Sequence, residues 1–248
     1  MNPLAIITGT TSGIGKILAE QLLEKNWDVL GLARREAAIQ HPNYRHALLD
    51  LAVPEQVQGY FEQTFPRETI LAGRPRVALV NNSGVLSPVG PLEDAPMAEL
   101  AQSFLLNAVA PIWLMGCLTR MCGDAPLTVL NVSSGAAYKP LAGWAAYCST
   151  KAALRMAGQV YGQDVEQNGR YRTRQNTLAV VNYSPGVTNT PMQDEVRSYG
   201  EDLFPGVERF VDLKESGQVK EPDLPVAEMV ALLEKTDLPP YSEVNYGA

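Results

Sequence analysis

Short apolar runs alternate with longer amphipathic segments along this chain. The runs are rich in Val, Ile and Leu and cover residues 4–8, 29–33, 47–49, 77–81, 127–132 and 177–182. The longer segments cover residues 16–26, 54–65, 97–121 and 147–167. Short runs that are apolar on both sides are typical of strands covered on both faces, and the longer segments suit crossover helices. The alternation predicts a doubly wound α/β fold, with a mostly parallel sheet and helices on both faces.

Two stretches, 66–76 and 194–225, follow neither pattern. The second is rich in charge, Gly and Pro, and it is too long for an ordinary connection. We therefore expect a substrate lid with short helices within residues 190–225. Because α/β domains run to about 250 residues, the length of 248 residues predicts a single domain over residues 1–248.

Charge and composition narrow the classes of partner. Twenty Lys and Arg against 27 Asp and Glu give a net charge of −7, the wrong sign for a protein that mainly binds nucleic acid. Basic and aromatic residues interleave at 170–174 as in RNA-binding segments, but we interpret this stretch as a solvated loop. No metal site is expected, since the cysteines lack C-x-x-C spacing and the two histidines lack the company of other ligands.

The chain has no pattern of an export signal or a membrane span. Residues 1–8 lead straight into an apolar strand without a charged segment or a cleavage site. The longest apolar stretch, 104–118, is interrupted by Asn107 and Pro111 and falls short of the roughly 20 residues that a span needs. We expect a cytoplasmic protein that does not bind a membrane.

A glycine-rich turn, TGTTSGIG at 8–15, joins the first predicted strand to the first helix. Glycines there let the backbone approach a pyrophosphate, and the helix N-terminus directs free N–H groups at the anion. A plain strand-to-helix turn is the alternative, but the position between a strand and a helix is the one that binding requires. The predicted cofactor contacts in this turn are Gly9, Thr11, Ser12, Gly13, Ile14 and Gly15.

The second predicted strand ends in Ala33, Arg34 and Arg35, where an acidic residue would hydrogen-bond the 2′-hydroxyl of an adenosine ribose. A guanidinium at this point pairs with a 2′-phosphate, so Arg34 and Arg35 favour NADP(H) over NAD(H). A solvated pair of surface arginines is the alternative. Asp50 and Leu51, after the third strand, would place a carboxylate near the adenine amino group.

Small polar residues follow the fourth and fifth predicted strands, at the edge where open α/β sheets bind ligands. Thirteen residues after Ser134, Tyr147 and Lys151 stand four apart and share a helix face. An ammonium group beside a phenol stabilises the phenolate. We therefore predict that Lys151 lowers the pKa of Tyr147 from about 10 and allows proton exchange near neutral pH.

Together these motifs resemble those of the short-chain dehydrogenase/reductase family over essentially the whole chain. The matching residues are TGxxxGIG at 8–15, NNSG at 81–84 where the family usually has NNAG, Asn107, Ser134, Tyr147 with Lys151, and PG at 185–186 followed by Thr188. The resemblance implies a Rossmann fold, a nicotinamide cofactor, and a homodimer or homotetramer built through the helices at 97–121 and 147–167.

The resemblance also implies roles for individual residues. Tyr147 would donate a proton, Ser134 would hydrogen-bond the substrate carbonyl, and Lys151 would hold the nicotinamide ribose. Asn107 would position a water molecule in the proton relay. The other implied cofactor contacts are Asn82, Ser83, Gly84, Tyr147, Pro185, Gly186, Val187, Thr188 and Thr190.

Within the family, a narrower resemblance is to sepiapterin reductases and to the bacterial benzil reductases, which reduce aromatic 1,2-diketones. It rests chiefly on GWAAYC at 143–148, NYSPG at 182–186 and TPMQ at 190–193. Trp144 would face the reacting carbonyl or, alternatively, pack beneath the lid, and Met192 would close the substrate pocket.

One departure from this branch concerns the substrate. Sepiapterin reductases carry an Asp near the C-terminus that anchors the pterin, and Asn245 stands at that place, with Glu243 two residues out of register. Charge-assisted hydrogen bonds are roughly twice as strong as neutral ones, so a neutral amide would anchor a pterin less well. This favours a small α-dicarbonyl substrate.

The leading hypothesis is an NADPH-dependent carbonyl reductase of a small 1,2-dicarbonyl, with Tyr147 as the proton donor. Two alternatives use the same residues: a non-catalytic NADP(H)-binding regulator, and an NADP-dependent alcohol dehydrogenase that works oxidatively. The set of Asn107, Ser134, Tyr147 and Lys151 argues against the regulator, because a sensor has no chemical need for it. The sequence does not choose between reduction and oxidation.

Overall fold

The computed structural model describes residues 1–66, 70–123, 125–168 and 177–247, which form a seven-stranded parallel sheet flanked by helices. The strand order is β3-β2-β1-β4-β5-β6-β7, and every pairing between neighbours is parallel. The strands are β1 (Leu4–Thr8), β2 (Asp28–Ala33), β3 (Tyr44–Leu48), β4 (Val77–Asn81), β5 (Leu127–Val132), β6 (Leu178–Ser184) and β7 (Tyr241–Asn245). The predicted doubly wound Rossmann fold is confirmed.

Helices cover both faces of this sheet. They are α1 (Gly13–Glu24), α2 (Pro54–Gly59), α3 (Met97–Phe104), α4 (Ala110–Cys122), α5 (Ala145–Gln167), α6 (Pro191–Ser198), α7 (Val207–Glu215) and α8 (Asp223–Glu234). A π-helical turn, Leu105–Val109, joins α3 to α4, and a second one, Tyr60–Thr64, extends α2. Residues 190–225, the predicted lid and called the lid below, contain α6, α7 and the start of α8, so the short helices expected there are present.

The central strands form where the sequence is continuously apolar. Every residue of β1, β4, β5 and β6 is buried, as expected for parallel strands with helices on both faces. Alternate side chains feed two separate cores: Ile6 and Leu79 pack on the side of α4, while Ile7 and Val80 pack on the side of α1 and α8.

The predicted boundaries fail mainly at the edge of the sheet. We expected the third strand at 47–49, but β3 spans Tyr44–Leu48 and is only partly buried. As an edge strand it carries polar residues, so a search for apolar runs misses its start. The segment 170–174 and residues 67–69 of the irregular stretch 66–76 lie outside the described residues.

One helix in the described part of the chain, Met97–Cys122, is long and apolar enough to cross a membrane by length and composition alone. Half of its apolar window is buried inside the protein, and core helices of globular proteins pass the same test.

Candidate active site

A cleft of about 410 Å³ opens at the carboxyl ends of the strands, beside the reversal of strand order between β1 and β4. Open α/β sheets bind ligands at such a point. The predicted site residues that line the cleft are Gly9, Thr11, Ser12, Gly13, Ile14, Arg34, Arg35, Leu51, Asn82, Ser83, Gly84, Ser134, Tyr147, Lys151, Pro185, Gly186, Thr188, Thr190 and Met192. Those that do not line it are Gly15, Asp50, Asn107, Trp144 and Val187.

The glycine-rich turn has the geometry of an anion site at the start of α1. Gly9 and Gly13 adopt φ values of 77° and 56°, which residues with a Cβ rarely adopt. Ser12 precedes α1 without forming a side-chain cap, and the first turn of α1 contains no acidic residue. The backbone N–H groups of this first turn are therefore available to an anion. Gly15 instead serves packing, since a Cβ there would lie 2.3 Å from the Gly9 carbonyl oxygen.

Arg34 and Arg35 follow β2 and are exposed at the mouth of the cleft. Neither guanidinium forms an ion pair with another residue among those described. Both are therefore free to meet an anionic ligand. By contrast, Asp50 is not among the residues that line the cleft, and its carboxylate accepts the backbone N–H of Ala52 at 2.9 Å.

Ser134, Tyr147 and Lys151 meet on the other side of the cleft. Ser134 follows β5, and its Oγ accepts the backbone N–H of Ala136 at 3.2 Å. Tyr147 and Lys151 lie in the first two turns of α5 and are 6% and 4% exposed. The ammonium group of Lys151 donates to the carbonyl oxygen of Val132 at 2.8 Å and lies 5.8 Å from the centre of the Tyr147 ring.

Burial dominates the titration of this pair. It raises the pKa of Tyr147 to about 12, and a hydrogen bond from Ser134 partly offsets the rise. It lowers the pKa of Lys151 to about 8, because the ammonium group loses its water. The prediction that Lys151 lowers the pKa of Tyr147 is wrong for the protein by itself, since burial raises this pKa and Lys151 is not among the groups that shift it.

Asn107 lies behind the cleft, within the π-helical turn. It is fully buried, and its amide group exchanges two hydrogen bonds of 2.9 Å with the backbone of Val85. The same amide donates to Thr150 Oγ1 at 3.2 Å. Asn107 therefore ties the loop after β4 to α5. Single π-helical turns inserted between α-helices, like the one that holds Asn107, are frequent at functional sites.

The loop after β6 forms a further wall. The hydroxyl of Thr188 donates to the carbonyl oxygen of Pro185 at 3.2 Å, which keeps the turn closed. Thr188 also forms a parallel β-bridge with Lys220, and this bridge fastens the loop to the base of the lid. The side chain of Val187 packs against an apolar cluster that includes Trp144 and Phe204, and Val187 is not among the residues that line the cleft.

Trp144 joins the lid to Tyr147. Its ring stacks on Phe204 at 4.5 Å and 6°, and contacts Tyr147 edge to face at 5.4 Å. Phe210 completes this cluster at 5.6 Å from Trp144. Of the two alternatives for Trp144, packing beneath the lid is therefore the observed one. Met192, in contrast, lines the cleft at the start of α6.

The sequence analysis missed several residues of the cleft. Ser133, Gln193 and Glu195 line it, together with the apolar side chains of Val85 and Leu106. Ser133 Oγ and Gln193 Oε1 are buried atoms without a hydrogen-bond partner in the described chain, so each has capacity for a ligand. Position after β5 was the available signal for Ser133, whereas only the fold brings Gln193 to the cleft.

The C-terminal strand does not supply a carboxylate to the cleft. Asn245 is exposed at the end of β7 and does not line the cleft. The carboxylate of Glu243 forms a salt bridge of 2.9 Å with Arg155 and accepts a hydrogen bond of 2.9 Å from Gln159. Asn245, which stands where sepiapterin reductases carry the Asp that anchors the pterin, is thus outside the cleft, and so is Glu243.

A parallel sheet of this order, with a glycine-rich turn, a Ser-Tyr-Lys set and a cleft at its carboxyl edge, defines a Rossmann-fold oxidoreductase that uses a nicotinamide cofactor. The short chain dehydrogenase family model matches residues 3–200. The chain belongs to the short-chain dehydrogenase/reductase family.

Individual relatives agree with this membership. Benzil reductase ((S)-benzoin forming) of Bacillus subtilis (strain 168) is 34% identical over 235 residues, which cover 94% of this chain and 93% of the relative. Sepiapterin reductase of Xenopus tropicalis is 27% identical over 251 residues, covering 93% and 91%. The crystal structure of a short-chain dehydrogenase/reductase from Burkholderia vietnamiensis is 31% identical, with a TM-score of 0.68, and covers 81% of this chain and 93% of its own. The resemblance read from the motifs is confirmed.

Proposed function

We propose that this protein is an NADPH-dependent carbonyl reductase that transfers hydride to a small 1,2-dicarbonyl compound, with Tyr147 as the proton donor. The observation that carries the proposal is that two groups of residues, one for each end of the cofactor, line opposite ends of the same cleft. Arg34 lines it after β2, whereas Ser134 and Tyr147 line it from the side of β5. These strands are three places apart in the sheet, about 14 Å at the usual spacing, so adenosine and nicotinamide can lie at opposite ends.

The residues present fit such a cofactor. The free N–H groups behind Ser12 and Gly13 suit a pyrophosphate, and Arg34 suits a 2′-phosphate. Lys151 would hold the nicotinamide ribose, and the Oγ of Ser133, which has no hydrogen-bond partner among the described residues, offers a further polar contact. When bound, the cofactor supplies the hydride, and the protein supplies orientation and a proton.

Tyr147 is suited to donate that proton. With a pKa of about 12 its hydroxyl stays protonated through the neutral range. A hydrogen bond from Ser134 stabilises the phenolate that remains after transfer. The ammonium group of Lys151 lies 5.8 Å from the centre of the Tyr147 ring. The opposite reaction, alcohol oxidation, uses the same residues and needs the phenolate as a base.

The substrate proposal rests on what the cleft lacks. Asn245 is exposed and Glu243 is held by Arg155, so β7 offers no carboxylate to a pterin. Apolar contacts come from Val85, Leu106 and Met192, which suit an aromatic diketone. The name of the Bacillus subtilis relative, benzil reductase, supports the same class of substrate.

We also propose a cytoplasmic homodimer or homotetramer. Apolar side chains on the outer faces of α3 and α5 are exposed, among them Met97, Phe104 and Met156. Burial of such a surface against a second copy would remove it from water.

The direct test follows the absorbance of NADPH, and separately NADH, with benzil, 1-phenyl-1,2-propanedione, diacetyl, sepiapterin and simple ketones at near-neutral pH. We expect turnover of the aromatic diketones with NADPH. Tight binding of NADPH without turnover of any compound would instead support the non-catalytic regulator, and turnover of sepiapterin alone would overturn the substrate class.

A further inference from the structure

A chain of side-chain hydrogen bonds runs from the glycine-rich turn to the arginine pair. Thr10 Oγ1 lies 2.8 Å from the hydroxyl of Tyr44, and this hydroxyl lies 2.8 Å from His46 Nδ1. His46 Nε2 lies 2.9 Å from the carbonyl oxygen of Arg35. Thr10, Tyr44 and His46 do not line the cleft, so the chain lies behind the binding surface.

The chemistry of the groups gives this chain a direction. A carbonyl oxygen only accepts hydrogen bonds. Nε2 of His46 therefore carries a proton and donates a hydrogen bond to the carbonyl oxygen of Arg35. In the neutral imidazole Nδ1 then accepts from the hydroxyl of Tyr44, which is left to accept from Thr10. Each of the three donors then has an acceptor, which favours a rigid arrangement.

Gly31 makes room for the two hydroxyl groups. It lies in β2, directly opposite His46 in the register with β3. A Cβ at this position would come within 2.2 Å of the Tyr44 hydroxyl and 2.4 Å of Thr10 Oγ1. Glycine weakens the interior of a strand and often marks a close approach of other groups. The approaching groups here are the hydroxyls of Thr10 and Tyr44.

The chain of hydrogen bonds through Tyr44 and His46 connects two segments of the protein that contact the cleft directly. Thr10 stands between Gly9 and Thr11 in the turn proposed to hold the pyrophosphate, and Arg35 follows the arginine proposed to hold the 2′-phosphate. Tyr44 and His46 are two residues apart on β3, so their side chains leave the same face of the strand. The spacing between the two anion sites is therefore fixed by β3.

We propose that Tyr44 and His46 are positioning residues that set the selectivity for a cofactor with a phosphate on the 2′-oxygen of its ribose. They hold the backbone of Arg34 and Arg35 at a fixed distance from the glycine-rich turn. Such preorganisation lowers the entropy that the arginines lose when they pair with the phosphate. The inference rests on the proposed use of NADPH.

Fluorescence titration with NADPH and NADH tests this role in the full-length protein. His46→Ala and Tyr44→Phe should each raise the Kd for NADPH by about 3- to 10-fold, the loss expected for a broken hydrogen bond. The Kd for NADH and the kcat at saturating NADPH should stay within about twofold. His46→Gln keeps an N–H donor for the Arg35 carbonyl and should recover most of the affinity for NADPH.

His41→Ala is the matched control. This second histidine accepts the backbone N–H of Asn43 and takes no part in the chain, so both affinities should be unchanged. Equal weakening of NADPH and NADH by the Tyr44 and His46 variants would overturn the proposal, because it indicates a purely structural role.

Arg34→Ala distinguishes failure of the positioning role of Tyr44 and His46 from failure of the proposed preference for NADPH. If it weakens NADPH selectively while the Tyr44 and His46 variants change nothing, the positioning role is refuted and the use of NADPH stands. If the unmodified protein binds NADPH no better than NADH and Arg34→Ala has no effect, the proposed cofactor preference fails, and the positioning role fails with it.

Discussion

The two ends of the cleft offer a ligand opposite physical environments. At the catalytic end, Tyr147 and Lys151 are almost fully buried, and Asn107 behind them has no exposed surface. At the other end, Arg34 and Arg35 are exposed and unpaired within the described chain. The end with Tyr147 and Lys151 is thus desolvated, whereas the end with Arg34 and Arg35 carries solvent-exposed positive charge.

The difference suits the function that we propose for each end. Proton transfer benefits from pKa values that burial can shift, and burial moves those of Tyr147 and Lys151 in opposite directions. Recognition of a phosphate needs full charge at every pH, which exposed guanidinium groups keep. The two functions are therefore separable by mutation, and the predictions below use this separation.

Removal of the Tyr147 hydroxyl should have the largest effect. Tyr147→Phe should lower kcat for diketone reduction by about 10²- to 10⁴-fold, since general acid catalysis contributes on this order. The Kd for NADPH should change by less than about threefold, because the ring and its packing on Trp144 remain. Steady-state kinetics and fluorescence titration measure the two quantities.

Tyr138→Phe is the control for this change. Tyr138 donates to Glu243 and lies outside the cleft, so its loss should leave kcat near the unmodified value. A Tyr147→Phe protein that loses affinity for NADPH as strongly as it loses kcat would make Tyr147 a structural residue.

Arg34→Ala should act on affinity. Hydrogen bonds to charged groups are worth about 1.5–3 kcal/mol, so the Kd for NADPH should rise about 10- to 100-fold, with little change for NADH. Arg45→Ala, on the exposed part of β3, removes the same charge away from the cleft and serves as the control. Equal losses for NADPH and NADH would argue against recognition of a 2′-phosphate.

The pH dependence should report Lys151. With a pKa of about 8 its ammonium group is present below pH 8 and is lost as the pH rises through this value. Tyr147 stays protonated until about pH 12, so the supply of the proton does not limit the reaction. The kcat/KM for the diketone should therefore fall up to about tenfold per pH unit above pH 8. A profile that stays flat to pH 10 would contradict the assignment.

The smallest effect is expected at Asn245. If a pterin were anchored there, Asn245→Asp would improve the kcat/KM for sepiapterin. Because Asn245 lies outside the cleft, the change should stay within about twofold. A tenfold gain would mean that the C-terminal strand takes part in substrate binding.

Most of the fold could be predicted from the sequence because its central strands are continuous apolar runs. The start of β3 could not, since an edge strand carries polar side chains that resemble a loop. Nor could the π-helical turn around Asn107, which depends on tertiary contacts with Val85 and Thr150.

The site shows a similar division. Motif positions such as Gly9, Arg34 and Tyr147 line the cleft as predicted from their order along the chain. The pKa of Tyr147 was predicted in the wrong direction, because helical spacing gives the neighbour but not the degree of burial. The same limit applies to Trp144, whose partner Phe204 lies sixty residues away in the lid.

The separation of the two ends is tested most directly by single-turnover kinetics with benzil and saturating NADPH. The account predicts that Arg34→Ala, once saturated, oxidises NADPH at close to the unmodified rate, whereas Tyr147→Phe is slower by at least about 100-fold. A slow Arg34→Ala protein under saturation, or a fast Tyr147→Phe protein, would contradict it.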